Sequence, residues 1–243
     1  MSNILPRKRG RTPVWLAIAK VLREDLSEGR YKPGDKLPTE AALSQRFGVN
    51  RHTVRHALSQ LVDDGLVRTR RGAGAFVAAV PTDYPIGQRV RFHENLLAAG
   101  HRPEKRVLHV AERAATLREA QVLKITTGDL LCEYYGLATS DGQPLAVATS
   151  LFPMVRLPGI ADALRVHLSI TLALKSVGVA DYTRAFTRVT AVLADATQAL
   201  HLQAQEGDPL LRATSVNVDA TGAPVEYGRT FFAGDRVTLT VEG

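Results

Sequence analysis

The sequence predicts an α+β protein in two parts: a winged helix-turn-helix, then a domain built on an antiparallel sheet. Three observations carry that expectation. Two short segments of helical period are separated by the turn Gly48-Val49, the pattern of a helix-turn-helix. Beyond them, hairpin-forming pairs of strands are mixed with separate helices. Charge is also unevenly placed. Residues 1–80 hold fifteen lysines and arginines against seven acids, a net +8, whereas residues 81–243 hold sixteen against seventeen, a net −1. Excess positive charge confined to one segment points to a module that meets a polyanion, joined to a body that does not. The bland alternative is a well-solvated basic surface, so the motifs must decide.

The first helix is expected over residues 13–29. Pro13 suits a first helical turn, where its missing N–H costs nothing. Trp15, Ile18, Leu22 and Leu26 recur at three- and four-residue spacing, and Gly29 stops the run. Residues 31–38 (Tyr-Lys-Pro-Gly-Asp-Lys-Leu-Pro) are too punctuated for helix and read as an extended connector. Thr39 caps a second helix with Leu43 and Phe47 facing a core, and Gly48 ends it. Asn50 caps a third, with Val54, Ala57, Leu58 and Leu61 on one face and Gly65 after it. Residues 66–71, a glycine turn at 72–74 and residues 75–80 read as a hairpin that would be a wing. Pro81, Pro85 and Gly87 mark 81–89 as an interdomain linker. The expected domains are therefore 1–80 and 90–243.

In the second domain a helix over 90–99 is expected to end at Gly100. A strand near 105–112 leads to a helix capped by Thr116. Strands 130–139 and 145–152 are joined by Ser140-Asp-Gly-Gln143. A helix at 168–177 precedes a strand at 183–193, and Asp195 opens a helix to about 203. Strands 210–218 and 225–232 flank the turn Asp219-Ala-Thr-Gly222.

Composition narrows the function class. With 45% apolar and 23% charged residues the chain is neither disordered nor a membrane protein, and no apolar run approaches the ~20 residues of a bilayer span. Arg7, Lys8, Arg9 and Arg11 are not followed by an apolar stretch of signal-peptide length. One cysteine, Cys132, excludes an internal disulfide and a cysteine-rich zinc site, and it reads as buried in an apolar strand. A reducing cytoplasm is the expected compartment. Seven histidines are scattered; His52 and His56 lack a neighbouring acid or cysteine, so no metal is expected. Gly72-Ala-Gly74 lacks a following Lys-Ser/Thr and is not a nucleotide loop. No cofactor is expected.

The third helix carries the sharpest chemistry. Its first turns present Arg51, His52, Thr53, Arg55 and His56 while its apolar residues face inward. Arginine can bridge guanine O6 and N7, and threonine with a helix N-terminus suits phosphate oxygens. Arg68, Arg70 and Arg71 sit on the wing beside Gly72 and Gly74, where backbone can approach DNA closely. The second domain offers a different set. Arg91, Phe92 and His93 start its first helix, where N–H groups and arginine favour an anion. Arg184 and Arg188 can supply positive charge from one strand. Glu226 sits in the closing strand, with Arg229 two residues beyond Tyr227 on the same strand face.

These segments resemble a known family. The first helix, Pro-Gly-Asp-Lys-Leu-Pro-Thr-Glu, Gly-Val-Asn-Arg-His-Thr-Val-Arg-His-Ala-Leu, Gly-Leu-Val and Arg-Arg-Gly-Ala-Gly-Ala-Phe-Val are similar to the GntR family of bacterial transcription regulators over residues 13–80. The remainder resembles the HutC-type effector domain, with its chorismate-lyase-like α+β fold. Asp-Tyr-Pro, Arg-Phe-His-Glu-Asn-Leu and Ala-Gly-His-Arg-Pro are similar to the phosphonate-metabolism regulators of that group. The resemblance implies DNA contacts from Thr39, Arg51, His52, Thr53, Arg55, Arg70, Arg71 and Gly72. Ala41 departs from relatives that carry arginine there, so their operator sequence does not transfer. In the effector domain Glu226 matches a ligand-pocket acid of sugar-phosphate-binding relatives. Those relatives have arginine on the strand where this chain has Tyr134, Tyr135, Gly136 and Ala138. Tyr135 joins Arg91, Phe92, His93, Arg184, Arg188, Glu226 and Arg229 as effector-binding candidates. The expected function is a homodimeric, ligand-responsive repressor on a pseudo-palindromic double-stranded operator. Its expected effector is a small anion, a phosphonate or phosphorylated metabolite. The alternative is a chorismate-lyase-like enzyme or small-ligand carrier that keeps a basic module. Fold alone does not carry function, and the fused basic module favours sensing.

Overall fold

Apolar side chains at helical spacing organise the N-terminal part of the chain around α1 (Val14–Ser27), α2 (Glu40–Phe47) and α3 (Arg51–Asp63). The computed structural model describes residues 13–70, 72, 74–78, 81–87, 102–167 and 169–241. They divide into two compact units, one within Met1–Val80 and the other within Pro81–Gly243.

In the first unit Ile18, Leu22, Leu43, Val54, Leu58 and Leu61 bury against one another and against Val67 and Val77. The last two belong to an antiparallel hairpin, β1 (Val67–Arg70) and β2 (Gly74–Val77). Thr39 caps α2, its hydroxyl accepting from the Ala42 N–H, and Gly48 ends the helix at φ +64°, a left-handed conformation that glycine adopts without strain. The connector is pinned to the hairpin: the Leu37 N–H donates to the Ala75 carbonyl, and Val77 N–H to that of Asp35. Asp25, 3% exposed, pairs with Arg30 and Arg46 and so ties α1 to the end of α2. Arg71, residues 79–80 and the Arg70 side chain lie outside the described residues.

The second unit holds a six-stranded sheet with the order β4-β5-β6-β9-β8-β7, antiparallel throughout. Its strands are β4 (Pro103–Ala114), β5 (Leu130–Ser140), β6 (Gln143–Pro153), β7 (Tyr182–Leu193), β8 (Pro209–Asp219) and β9 (Pro224–Ala233). One face packs Leu131, Leu151 and Tyr227 against α4 (Leu117–Leu123), and Leu137, Val147 and Leu210 against α7 (Ala196–Leu202). Thr116 and Asp195 start these two helices with reciprocal capping boxes. The other face packs Tyr134, Phe152 and Val225 under α5 (Ile160–Val166) and α6 (Ile170–Ser176).

Residues 81–87 are not a spacer: β3 (Thr82–Pro85) pairs in parallel with β10 (Val237–Thr240). Tyr84, 5% exposed, tilts onto Phe232 at 5.1 Å, so burial of an aromatic ring outweighs the flanking prolines. The helix expected at 168–177 is present as α6, and α5 precedes it, with Ile160 and Leu164 fully buried. The helix expected over 90–99 lies outside the described residues.

Candidate nucleic-acid interface and ligand cavity

Local capping sets the first turn of α3. The Asn50 side chain accepts from the Thr53 N–H at 2.8 Å and from the Thr53 hydroxyl at 2.9 Å. With its proton committed to the cap, the Thr53 hydroxyl has only lone pairs left to offer a partner. Arg51 and His52 stand exposed on that turn, where unsatisfied N–H groups and the helix dipole favour negative charge. Arg55 follows one turn later and is gripped by Glu40 of α2: Nε donates to Oε1 at 2.9 Å and Nη2 to Oε2 at 2.8 Å. Hydrogen bonding from Arg55 holds the Glu40 carboxyl below its usual range, and the charge of Arg51 adds to the effect. His56 stacks on Trp15 of α1, with ring centroids 4.1 Å apart. A groove of about 600 Å³ joins α3 to the hairpin and gathers Thr39, Arg55 and Gly72 from the expected set, with Lys36 and Thr69.

In the second unit a cavity of about 120 Å³ lies on the sheet face that carries α6. Its floor is Glu226, 8% exposed, whose Oε1 accepts from the Ser150 hydroxyl and Oε2 from the Asn217 Nδ2, each at 2.6 Å. The Asn217 carbonyl oxygen accepts from Arg184 Nε at 2.7 Å, and Arg184 Nη1 donates to Thr187. Gly228 lies beside this network; a Cβ there would come within 3.2 Å of the Ser215 hydroxyl. Lys105 enters from β4, and enclosure of its ammonium end pushes its pKa below the usual lysine range while the Glu226 charge opposes the shift. Thr171, Tyr182 and Tyr84 supply hydroxyls, and Ala138, Ala146 and Ala148 leave the space. Two cations against one carboxylate make the cavity net positive.

Of the effector-binding candidates, Arg184 and Glu226 meet in this cavity. Tyr135, Arg188 and Arg229 do not, and the register gives the reason. Arg184 and Arg188 would share a face in an unbroken strand, but a bulge between Arg184 and Phe186 reverses the alternation. Arg188 then pairs with Thr214, Thr214 with Arg229, Arg229 with Thr149, and Thr149 with Tyr135. That single row crosses the sheet on the face opposite the cavity, where Tyr135 meets His201 of α7 edge to face. Arg91, Phe92 and His93 lie outside the described residues. Lys105, Ser150 and Asn217 were not singled out from the sequence. The available signal was Asn217 itself, a lone amide inside an apolar strand, which requires buried partners.

Among the described residues no group of acids, histidines or cysteine is arranged to hold a metal ion, and no helix is long and apolar enough to cross a membrane. Burial pushes the Cys132 thiol up to about 11, away from nucleophilic use.

Comparison with known proteins agrees with both halves. The model of the gntR family of bacterial regulatory proteins matches residues 16–77, and that of the UTRA domain matches residues 98–238. An uncharacterized HTH-type transcriptional regulator of Rhizobium meliloti is 35% identical, covering 100% of this chain and 99% of its own length. The probable transcriptional regulator PhnF of Escherichia coli is 32% identical over 93% of each chain. The crystal structure of PhnF from Mycobacterium smegmatis, 28% identical, superposes with a TM-score of 0.64 over 93% of this chain and 98% of that one. The chain thus belongs to the gntR family of bacterial regulatory proteins, as a member with a C-terminal UTRA domain, and is a transcription regulator rather than an enzyme.

Proposed function

We propose that this protein is a homodimeric repressor that releases its operator when a small anion, a phosphonate or a phosphorylated metabolite, enters the cavity of the second unit. In this reading the first turns of α3 enter a major groove and the hairpin lies on the adjacent backbone. Two-fold pairing of two chains makes the operator pseudo-palindromic. Arg51, His52 and Arg55 are the readout side chains, with Gly72 at the hairpin turn.

The observation that supports the ligand reading best is the convergence of Lys105 and Arg184 on a cavity of about 120 Å³ with Glu226 at its base. Fixed cations in a partly dry site favour an oxyanion, and Glu226 can accept from a hydroxyl or amine at the other end of the same molecule. The volume is small beside the ~300–1,000 Å³ of drug-sized sites, which favours a ligand of few heavy atoms. The PhnF name of two relatives agrees with the phosphonate-type resemblance of the sequence.

Fluorescence anisotropy of the full chain on DNA from its own promoter, titrated with methylphosphonate, 2-aminoethylphosphonate and glucose 6-phosphate, tests the reading. The expected result is release by a phosphonate and none by the bulkier sugar phosphate. Indifference to all three removes the anionic effector while leaving the DNA reading intact. Binding that does not weaken with salt would remove the DNA reading itself.

A further inference from the structure

The exposed Glu40–Arg55 pair is a fork on a fork, made between the first residue of α2 and the outward side of α3. The guanidinium uses its Nε/Nη2 edge on the carboxylate. Its other edge, one N–H from Nη1 and the second from Nη2, remains available at the end of the side chain, with the geometry that spans guanine O6 and N7. We propose that Glu40 is a positioning residue for base readout: it holds Arg55 so that the Nη1/Nη2 edge meets a guanine end-on in the major groove. The proposal rests on the DNA-binding reading above and assigns a specific part of it to this pair.

Two arguments favour a base over a phosphate as the target. A carboxylate about 2.8 Å from the guanidinium repels a phosphate brought to the same group, whereas a neutral base edge meets no such opposition. The pair also orders a long, 69%-exposed side chain before binding, so less rotamer entropy is lost at the interface. Such ordering serves a contact with strict geometry and adds little to a non-directional charge contact. Arg55 lies four residues after Arg51, so both side chains project from the helix end that a helix-turn-helix presents to base edges.

The test is selection of binding sites from randomised double-stranded DNA by the full chain, comparing the parent with Arg55→Ala, Arg55→Lys, Glu40→Gln and Glu40→Asp. The parent is expected to enrich a guanine at one position of each half-site. Arg55→Ala should lose that preference on the order of ten- to a hundred-fold with the other positions kept. Arg55→Lys retains the charge but not the fork, so it should keep affinity for unrelated DNA and lose the guanine. Glu40→Gln and Glu40→Asp should relax the same position several-fold, without weakening binding to unrelated DNA. Equal thermal unfolding of parent and variants separates this from a folding defect. The proposal is overturned if Arg55→Lys keeps the guanine, if Arg55→Ala weakens all sequences alike, or if Glu40→Gln tightens the preferred sequence. A parent that enriches no sequence overturns the DNA reading and this proposal together.

Discussion

Lys105 lines the cavity proposed for the ligand, and its energetics can be tested directly. Enclosure lowers its folded-state pKa below the 10.5 of an ordinary lysine, so between the two values the unfolded chain binds more protons than the folded one. Stability therefore rises with pH through that window. An anion placed beside the ammonium removes the cause of the shift, and the site takes up a proton on binding at alkaline pH. Replacing the cation by an apolar chain of similar length gives a paired expectation. Lys105→Met should lose the rise in stability with pH through that window and abolish operator release by phosphonate. Calorimetry of the parent across the alkaline range, in buffers of different ionisation enthalpy, should show the proton uptake. A variant that loses this pH dependence yet responds like the parent would place the anion away from Lys105. Glu226 behaves differently: each of its oxygens already accepts one hydrogen bond, from Ser150 and from Asn217. It is a buried carboxyl with a partner on each oxygen before any ligand arrives.

At the scale of elements, a single inserted residue decides which arginine faces the cavity. The bulge after Arg184 sends it into the cavity and turns Arg188 to the other face, in register with Thr214, Arg229 and Thr149. Arg184→Ala should therefore abolish the ligand response, whereas Arg188→Ala and Arg229→Ala should leave the half-maximal phosphonate concentration within about two-fold of the parent. Operator release followed by anisotropy reads this directly, and a loss in either exposed variant would move the site to the opposite face. A bulge is invisible to alternation counting, because period-two reasoning assumes the parity it breaks; hence Glu226 and Arg184 were legible in the sequence and the side taken by Arg188 was not. Helices announced themselves wherever caps and spacing agreed, as at Thr39, Asn50, Thr116 and Asp195, each of which accepts the expected backbone hydrogen bond. β3 was hidden for the opposite reason. Pro81, Pro85 and Gly87 read as punctuation, while the Thr82 and Tyr84 alternation that buries one face spans too few residues to outweigh them. Its partner β10 lies more than 150 residues away in sequence, and no local pattern announces a pairing of that range.

For the whole molecule, the uneven charge of the chain becomes a functional division. The unit with the +8 excess carries the exposed arginines of α3, and the near-neutral unit carries the cavity of Arg184 and Glu226. A ligand in the second unit changes operator affinity only by binding unequally to two states of the protein, and the operator must change ligand affinity by the same factor. A dimer gives such a device its leverage, because one change in the spacing of two reading helices detunes both half-sites together. The full chain is therefore expected to scatter light as a dimer at micromolar concentration. On DNA it should protect two inverted half-sites whose centres are about one helical turn, or a multiple of it, apart. Separating the half-sites by an extra half turn should cut affinity towards that of a single half-site, since the two helices could no longer face the same side of the duplex. The plot of log affinity against log salt should become shallower at the same time, as one chain's phosphate contacts are lost. A monomer that protects one half-site, with affinity indifferent to the spacing, would exclude the two-fold mechanism. Release would then have to act within a single chain.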